Sequence, residues 1–157
     1  MHLEGSCLCG VVRFSLDAYA PVPYLHCYCS ICRKSAGAGG FAVNLGGWTA
    51  SLSIKGEDNI TVFHATIDGE RSTTERRFCS LCGTALWTWD GRWPELIHPF
   101  AGAIDTPLPK APAQTHMMLD SKPTWVRIDD VIGDSRHDLY PSESLEDWHR
   151  QHGYLED

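Results

Sequence analysis

The chain is poor in positive charge. Lys and Arg number 13 against 20 Asp and Glu, for a formal charge of −7. Non-specific nucleic-acid binding needs basic side chains to displace counterions, so no nucleic-acid partner is expected. Long apolar runs are also missing. The longest uncharged stretch, Ser35 to Ile54, contains five glycines, Asn44 and several hydroxyl side chains. That is too polar for a bilayer span, and no membrane partner is expected. The opening residues, Met1 to Cys7, lack the basic and apolar regions of an export signal. Cytoplasmic localisation is therefore the expectation. Helical periodicity is scarce, and 14 glycines and nine prolines favour turns.

What is present suits a globular fold. The 157 residues are 43% hydrophobic and 21% charged, enough to bury a core without disulfides, and residues 1–157 read as a single domain. Six tryptophans are accounted for by core packing. Short alternating runs at Val11–Leu16, Phe41–Leu45, Ser51–Ile54, Thr61–His64, Ser72–Phe78, Ala85–Trp89, Ile97–Ala101, His116–Leu119 and Trp125–Ile128 read as strands. Asp68-Gly69 and Asp90-Gly91 read as turns, the first as a hairpin. Thr106–Pro112, with three prolines, reads as a loop. Ser30–Ala36 is expected to form about one helical turn. Leu145, Trp148, His149 and His152 lie at helical spacing, with Ser142 or Ser144 as N-cap and Gly153 as stop. The expected class is mostly β with a short C-terminal helix.

The seven cysteines are the informative feature. An odd number cannot all pair within one chain. They fall in three tight groups: Cys7 with Cys9, then Cys27, Cys29 and Cys32, then Cys79 with Cys82. One- and two-residue spacings let a turning chain aim its sulfurs at one ion, and tetrahedral zinc is the usual occupant. Iron–sulfur clusters normally want four cysteines each. A thioredoxin-type C-x-x-C should open a helix, whereas Cys82 leads into a strand-like Gly-Thr-Ala-Leu-Trp. Seven ligands divide as four plus three. The distant pairs Cys7/Cys9 and Cys79/Cys82 make a closed structural site that staples the chain's start to its middle. The local trio makes a site with one position open, the catalytic pattern. Arg33 and Lys34 follow Cys32 directly and are the nearest candidate cations to the trio. His26 should point away from the metal side in an extended chain. His137, His149 and His152 are expected at the surface. No general base can be named from the sequence.

The motifs G-x-C-x-C-G-x-V-x-F at Gly5–Phe14, H-C-x-C-S-x-C-R-K at His26–Lys34 and R-x-F-C-x-x-C-G-T at Arg76–Thr84 resemble the glutathione-dependent formaldehyde-activating enzyme family, which also includes centromere protein V. Gly37-Ala38, Ala101–Asp105, the segment ending at His116, and Trp125 match further, so the resemblance runs from about Leu3 to Asp130. It implies a zinc-stapled Mss4-like fold. It also implies a structural zinc on Cys7, Cys9, Cys79 and Cys82, a catalytic zinc on Cys27, Cys29 and Cys32, and a cavity-lining role for His116. The implied partners are a small-molecule thiol, with glutathione as co-substrate, and a small aldehyde such as formaldehyde. The implied reaction is carbon–sulfur lyase chemistry run toward S-(hydroxymethyl)glutathione. The alternative is a non-catalytic zinc-binding module or thiol carrier, and a fourth protein ligand on the trio would favour it. The oligomeric state is not legible.

Overall fold

The structure, a computed structural model, describes residues 1–155. In chain order the strands are β1 (His2–Ser6), β2 (Arg13–Asp17), β3 (Tyr24–Cys27), β4 (Ala42–Asn44), β5 (Gly47–Trp48), β6 (Ser53–Lys55) and β7 (Ile60–Phe63). There follow β8 (Thr66–Ile67), β9 (Glu70–Arg71), β10 (Glu75–Cys79), β11 (Ala85–Trp89), β12 (Leu96–Pro99), β13 (Gln114–Met117) and β14 (Ser135–Arg136). Two seven-residue α-helices, α1 (Ser30–Ala36) and α2 (Leu145–Gln151), and four three-residue 3-10 turns complete the set among the described residues. The molecule is mostly β, as expected.

The strands form three sheets and a small hairpin. The sheets run β1-β2-β6, β5-β12-β11-β10-β7 and β14-β13-β3-β4, and the hairpin pairs β8 with β9. Asp68 and Gly69 turn that hairpin at φ of 51° and 85°, the left-handed pair that a two-residue loop requires. The main core lies under β1, β2 and one face of the five-stranded sheet. Leu3, Val12, Phe14, Leu16, Leu86 and Trp87 are buried in it, and the Phe14 and Trp87 rings sit 5.0 Å apart. Each apolar side chain of this size removed from water contributes roughly 1.5–3 kcal/mol. Cys7 and Cys79 are buried at the edge of the same core.

Several expectations need correcting. Trp125–Ile128 is not a strand. The Val126 amide donates to the Pro123 carbonyl at 3.1 Å and Lys122 Nζ donates to the Val126 carbonyl at 2.6 Å, so Pro123 opens a turn that leaves Trp125 exposed. The strand holding His116 begins earlier, at Gln114, and ends at Met117, because Met118 turns at φ 61°. α1 is longer than one turn. α2 has Ser144, not Ser142, as N-cap, its Oγ accepting from the Asp147 amide at 3.1 Å, and Gly153 leaves at φ 74°. His149 is buried, not at the surface, and pairs through Nε2 with the Val22 carbonyl. Trp148 packs beside it on Ala20 and Val22, fixing α2 to the body. His137 is half-buried, and its Nε2 has no partner among the described residues. His152 is exposed but stacks on Trp148 at 3.9 Å.

Candidate metal centres and the cavity between two sheets

The first sulfur cluster forms where two turns meet. The Gly10 amide returns to the Cys7 carbonyl at 2.9 Å and the Gly83 amide to the Cys79 carbonyl at 2.9 Å. Each turn brings its pair of sulfurs to one side. The Sγ atoms of Cys7, Cys9, Cys79 and Cys82 all lie within 4.8 Å of one another, with Cys7–Cys9 at 3.5 Å and Cys9–Cys79 at 3.7 Å. A tetrahedral ion with ~2.3 Å bonds to sulfur spaces its ligands about 3.8 Å apart, close to the Cys7–Cys9 and Cys9–Cys79 separations. The Val12 amide donates to Cys7 Sγ at 3.3 Å, and Thr84 Oγ1 lies 3.2 Å from Cys82 Sγ. Donors aimed at sulfur favour the thiolate form that a metal needs.

The second cluster is local. Cys27 ends β3, Cys29 caps α1 and Cys32 lies in its first turn. Their three Sγ atoms also lie within 4.8 Å of one another. Among the described residues no fourth His, Cys, Asp or Glu joins them. All seven cysteines are free thiols. Hydrogen bonds from the Cys27 and Cys32 thiols draw the Cys29 pKa down to about 2, while the same sharing and burial push the Cys27 thiol far up. Crowding of the three thiols thus opposes ionising them together, which a cation among them would relieve.

These sulfurs open on a cavity of about 490 Å³ between the four-stranded and five-stranded sheets, within the ~300–1,000 Å³ usual for small-molecule sites. Strand parity decides what faces it. From the four-stranded sheet come Leu25, Cys27, Thr115 and Met117, paired as Thr115↔Leu25 and Met117↔Cys27. From the five-stranded sheet come Arg76, Thr88 and His98, side by side because Arg76 pairs with Thr88 and Thr88 with His98, together with Trp89 at the end of β11. Arg76 is buried, and its Nη1 donates to Cys32 Sγ at 3.6 Å. Its Nε has no partner among the described residues. At the rim, Asp90 accepts from Thr74 Oγ1 at 2.6 Å and from Arg92 Nη2 at 2.8 Å. These bonds, Arg92's foremost, hold the Asp90 carboxyl well below the usual carboxylate range.

Three sequence-predicted residues lie elsewhere. Arg33 and Lys34 follow Cys32 on α1 but do not line the cavity. His116 pairs in register with His26, so both point to the opposite face of that sheet from Cys27. There His116 Nδ1 bonds the Tyr28 hydroxyl at 2.8 Å, and its Nε2 faces Asp134 Oδ2 at 3.4 Å. His26 stacks on Phe41 at 4.7 Å, and burial brings its pKa down to about 4. The expectation that His26 points away from the sulfurs holds. Sequence reasoning missed Arg76 and His98 as cavity residues. The available signal was parity: Ile97 faces the core, so His98 must face the other way.

A mostly-β chain with one four-sulfur and one three-sulfur cluster, the second beside a cavity, belongs to the class of proteins whose clustered thiols could hold metal ions. The family described as glutathione-dependent formaldehyde-activating enzyme matches residues 2–121. A Halomonas elongata protein named "Putative glutathione-dependent formaldehyde-activating enzyme" is 50% identical over 156 residues, covering 99% of each chain. The chain belongs to the glutathione-dependent formaldehyde-activating enzyme family. A crystal structure of a Rhodobacter sphaeroides protein shares the fold at a TM-score of 0.52 and 22% identity, covering 68% of this chain and 92% of that one.

Proposed function

We propose that the protein is a zinc enzyme of the carbon–sulfur lyase type that joins a thiol, glutathione foremost, to a small aldehyde such as formaldehyde, and cleaves the adduct in reverse. The observation that carries this is the three-sulfur cluster, which no fourth ligand joins among the described residues, set in the wall of a cavity of about 490 Å³. A closed four-ligand site, by contrast, would suit the non-catalytic module. Cys7, Cys9, Cys79 and Cys82 would hold a structural zinc, and Cys27, Cys29 and Cys32 a catalytic one. Zinc at the trio would supply a bound substrate sulfur as thiolate at neutral pH, where a free thiol with pKa near ~8.5 is mostly protonated.

The chain's own residues set the remaining conditions. Arg76, held against Cys32 Sγ, offsets part of the negative charge that a fourth sulfur would add. Leu25 and Met117 keep one wall apolar, which lowers the water content beside a reactive adduct. Thr88 and Thr115 supply hydroxyls to a polar ligand. All of this falls within one domain, and a reducing compartment such as the cytoplasm keeps seven thiols available as ligands.

The test is adduct formation from formaldehyde and glutathione, followed by exchange NMR with zinc-loaded protein. Wild type should exceed the spontaneous rate and Cys32→Ala should not. Glutathione binding without acceleration would turn the assignment toward a thiol carrier. No binding by the loaded protein would remove glutathione altogether.

A further inference from the structure

Tyr28, His116 and Asp134 form a buried chain of hydrogen bonds, and nothing above gives it a task. The His116 and Asp134 side chains are 4% and 5% exposed, and Tyr28 is 1% exposed. Asp134 Oδ1 accepts from the Gln114 amide at 2.9 Å, and its Oδ2 lies 3.4 Å from His116 Nε2. A carboxylate only accepts, so Nε2 carries the proton and the neutral ring turns its Nδ1 lone pair toward Tyr28. The Tyr28 hydroxyl, 2.8 Å away, donates to it. The chain therefore runs in one direction, from phenol to imidazole to carboxylate. Phe41 packs beside it with its ring 5.2 Å from that of Tyr28, and the His26 ring meets His116 edge-on at 5.0 Å.

Its place in the sequence ties this chain to the three-sulfur cluster. Tyr28 is the residue between Cys27 and Cys29. Neighbours in an extended segment alternate sides, so the two sulfurs point one way and the phenol the other. The tyrosine is then held twice from β13. Its amide donates to the Met117 carbonyl at 3.1 Å, and its hydroxyl reaches His116. Asp134 directly precedes β14, which pairs with β13 through Thr115 and Ser135. The other supports of the cluster lie elsewhere. Cys29 Sγ accepts from the Cys32 amide at 3.3 Å, and Cys32 Sγ accepts from Arg76 Nη1 at 3.6 Å. The three sulfurs lie within 4.8 Å of one another, a spacing that admits a tetrahedral ion with thiolate ligands about 3.8 Å apart.

We propose that Tyr28, His116 and Asp134 are positioning residues for the metal site: their hydrogen-bonded chain fixes the backbone between Cys27 and Cys29 and so presets two of the three sulfurs for an ion. His116 lies on the face of its sheet turned away from Cys27, so the effect passes through the Tyr28 backbone and not through contact with the ion. Without the chain, the Cys27–Cys29 segment would sample orientations in which its sulfurs diverge. An ion would then have to order them as it binds, at a cost in affinity. Hydrogen-bonded layers behind a metal site commonly change metal affinity by about 10- to 100-fold.

This assignment rests on the metal site of the function proposed above, and the experiment separates the two. Protein carrying one zinc per chain is titrated with Co2+, and the sulfur-to-cobalt charge-transfer and d–d bands report the second site. Cys32→Ala identifies the bands that belong to the trio. Tyr28→Phe keeps the ring packing and removes only the hydroxyl, which leaves His116 Nδ1 buried and unpaired. It should bind Co2+ at the trio at least about 10-fold more weakly, with shifted d–d bands. Asp134→Asn is the second variant. The double variant should lose no more than the weaker-binding single one, as members of one chain do. A merely structural tyrosine would lower the urea midpoint of the chelated protein and leave the cobalt constant and bands unmoved. That result overturns the positioning role and leaves the proposed function standing, as do additive losses in the double variant. Trio bands missing from wild type overturn both. The expected variant losses in a protein that forms no adduct support the positioning role and remove the lyase reading.

Discussion

Removing one sulfur from the four-cysteine cluster should unfold this protein in a way that depends on metal. Cys82 is half-exposed, and Thr84 is its side-chain hydrogen-bond neighbour outside the cluster. Without an ion, Cys82→Ala should therefore cost no more than about 1 kcal/mol. With an ion, the cost is that of a clamp. Cys9 and Cys79 are 70 residues apart, and cross-linking a loop of that length withdraws about 4 kcal/mol of conformational freedom from the unfolded chain. Structural zinc can add more, since its binding contributes on the order of 10 kcal/mol to folding. Domains have only ~5–15 kcal/mol in total, so loaded Cys82→Ala should lose most of its stability. The equivalent loss in the trio is smaller, because the short loop from Cys27 to Cys32 is worth only about 2 kcal/mol on the same scale. Cys32→Ala should stay folded and keep one metal. The assay is urea unfolding of wild type and Cys82→Ala, each loaded and after chelation, which closes a thermodynamic cycle. A loaded difference exceeding the chelated one by about 4 kcal/mol is expected, and chelation that unfolds wild type outright agrees with it. An equal loss in both states would refute the clamp, and a metal-dependent loss confined to Cys32→Ala would reverse the two sites.

Asp90→Asn should destabilise the cavity rim by about 1.5–3 kcal/mol at neutral pH, because it removes the charged acceptor for Arg92, Thr73 and Thr74. The folded pKa of Asp90 is depressed, so its contribution is present above the ordinary carboxylate pKa of ~3.9 and fades as pH falls below it. Melting curves at neutral and strongly acidic pH should converge for wild type and variant in acid, and a pH-independent gap would contradict this. Gly5→Ala tests close packing at the start of the chain. A Cβ there would stand 2.4 Å from Phe14 Cζ and 2.5 Å from the Ala103 carbonyl oxygen. A loss of roughly 1–3 kcal/mol, read as a lower urea midpoint at unchanged slope, is expected, whereas an unshifted midpoint would mean that the strands part without cost.

Local chemistry is what the sequence determined. Knuckle spacings put Cys7 beside Cys9, Cys79 beside Cys82, and Cys27 within reach of Cys29 and Cys32, because a short chain turn needs no distant partner to bring its sulfurs together. The four-plus-three grouping of sulfurs follows from the same spacings and matches the two clusters observed. The Asp68-Gly69 hairpin and the Ser144-capped α2 are equally local, fixed by left-handed turn residues and by a side-chain cap. Strands at β1 and β3 went unread, since each is short and β3 lies just past Pro21 and Pro23, where local signals favour a loop.

Tertiary structure decided which polar residues share the cavity. Arg33 and Lys34 are nearest to Cys32 in sequence, yet the cation at its sulfur is Arg76, 44 residues away. His116 sits on the strand next to Cys27 but on the far face, while His98, from another sheet, faces the sulfurs' cavity. Period-two alternation gives each strand two faces, but only the pairing register says which face meets which. A one-residue slip of β12 or β13 would exchange His98 and His116 between cavity and far side. Register is set by burying Trp87, Ile97 and Leu86 together in the main core, a sum over distant contacts that no local stretch of sequence contains.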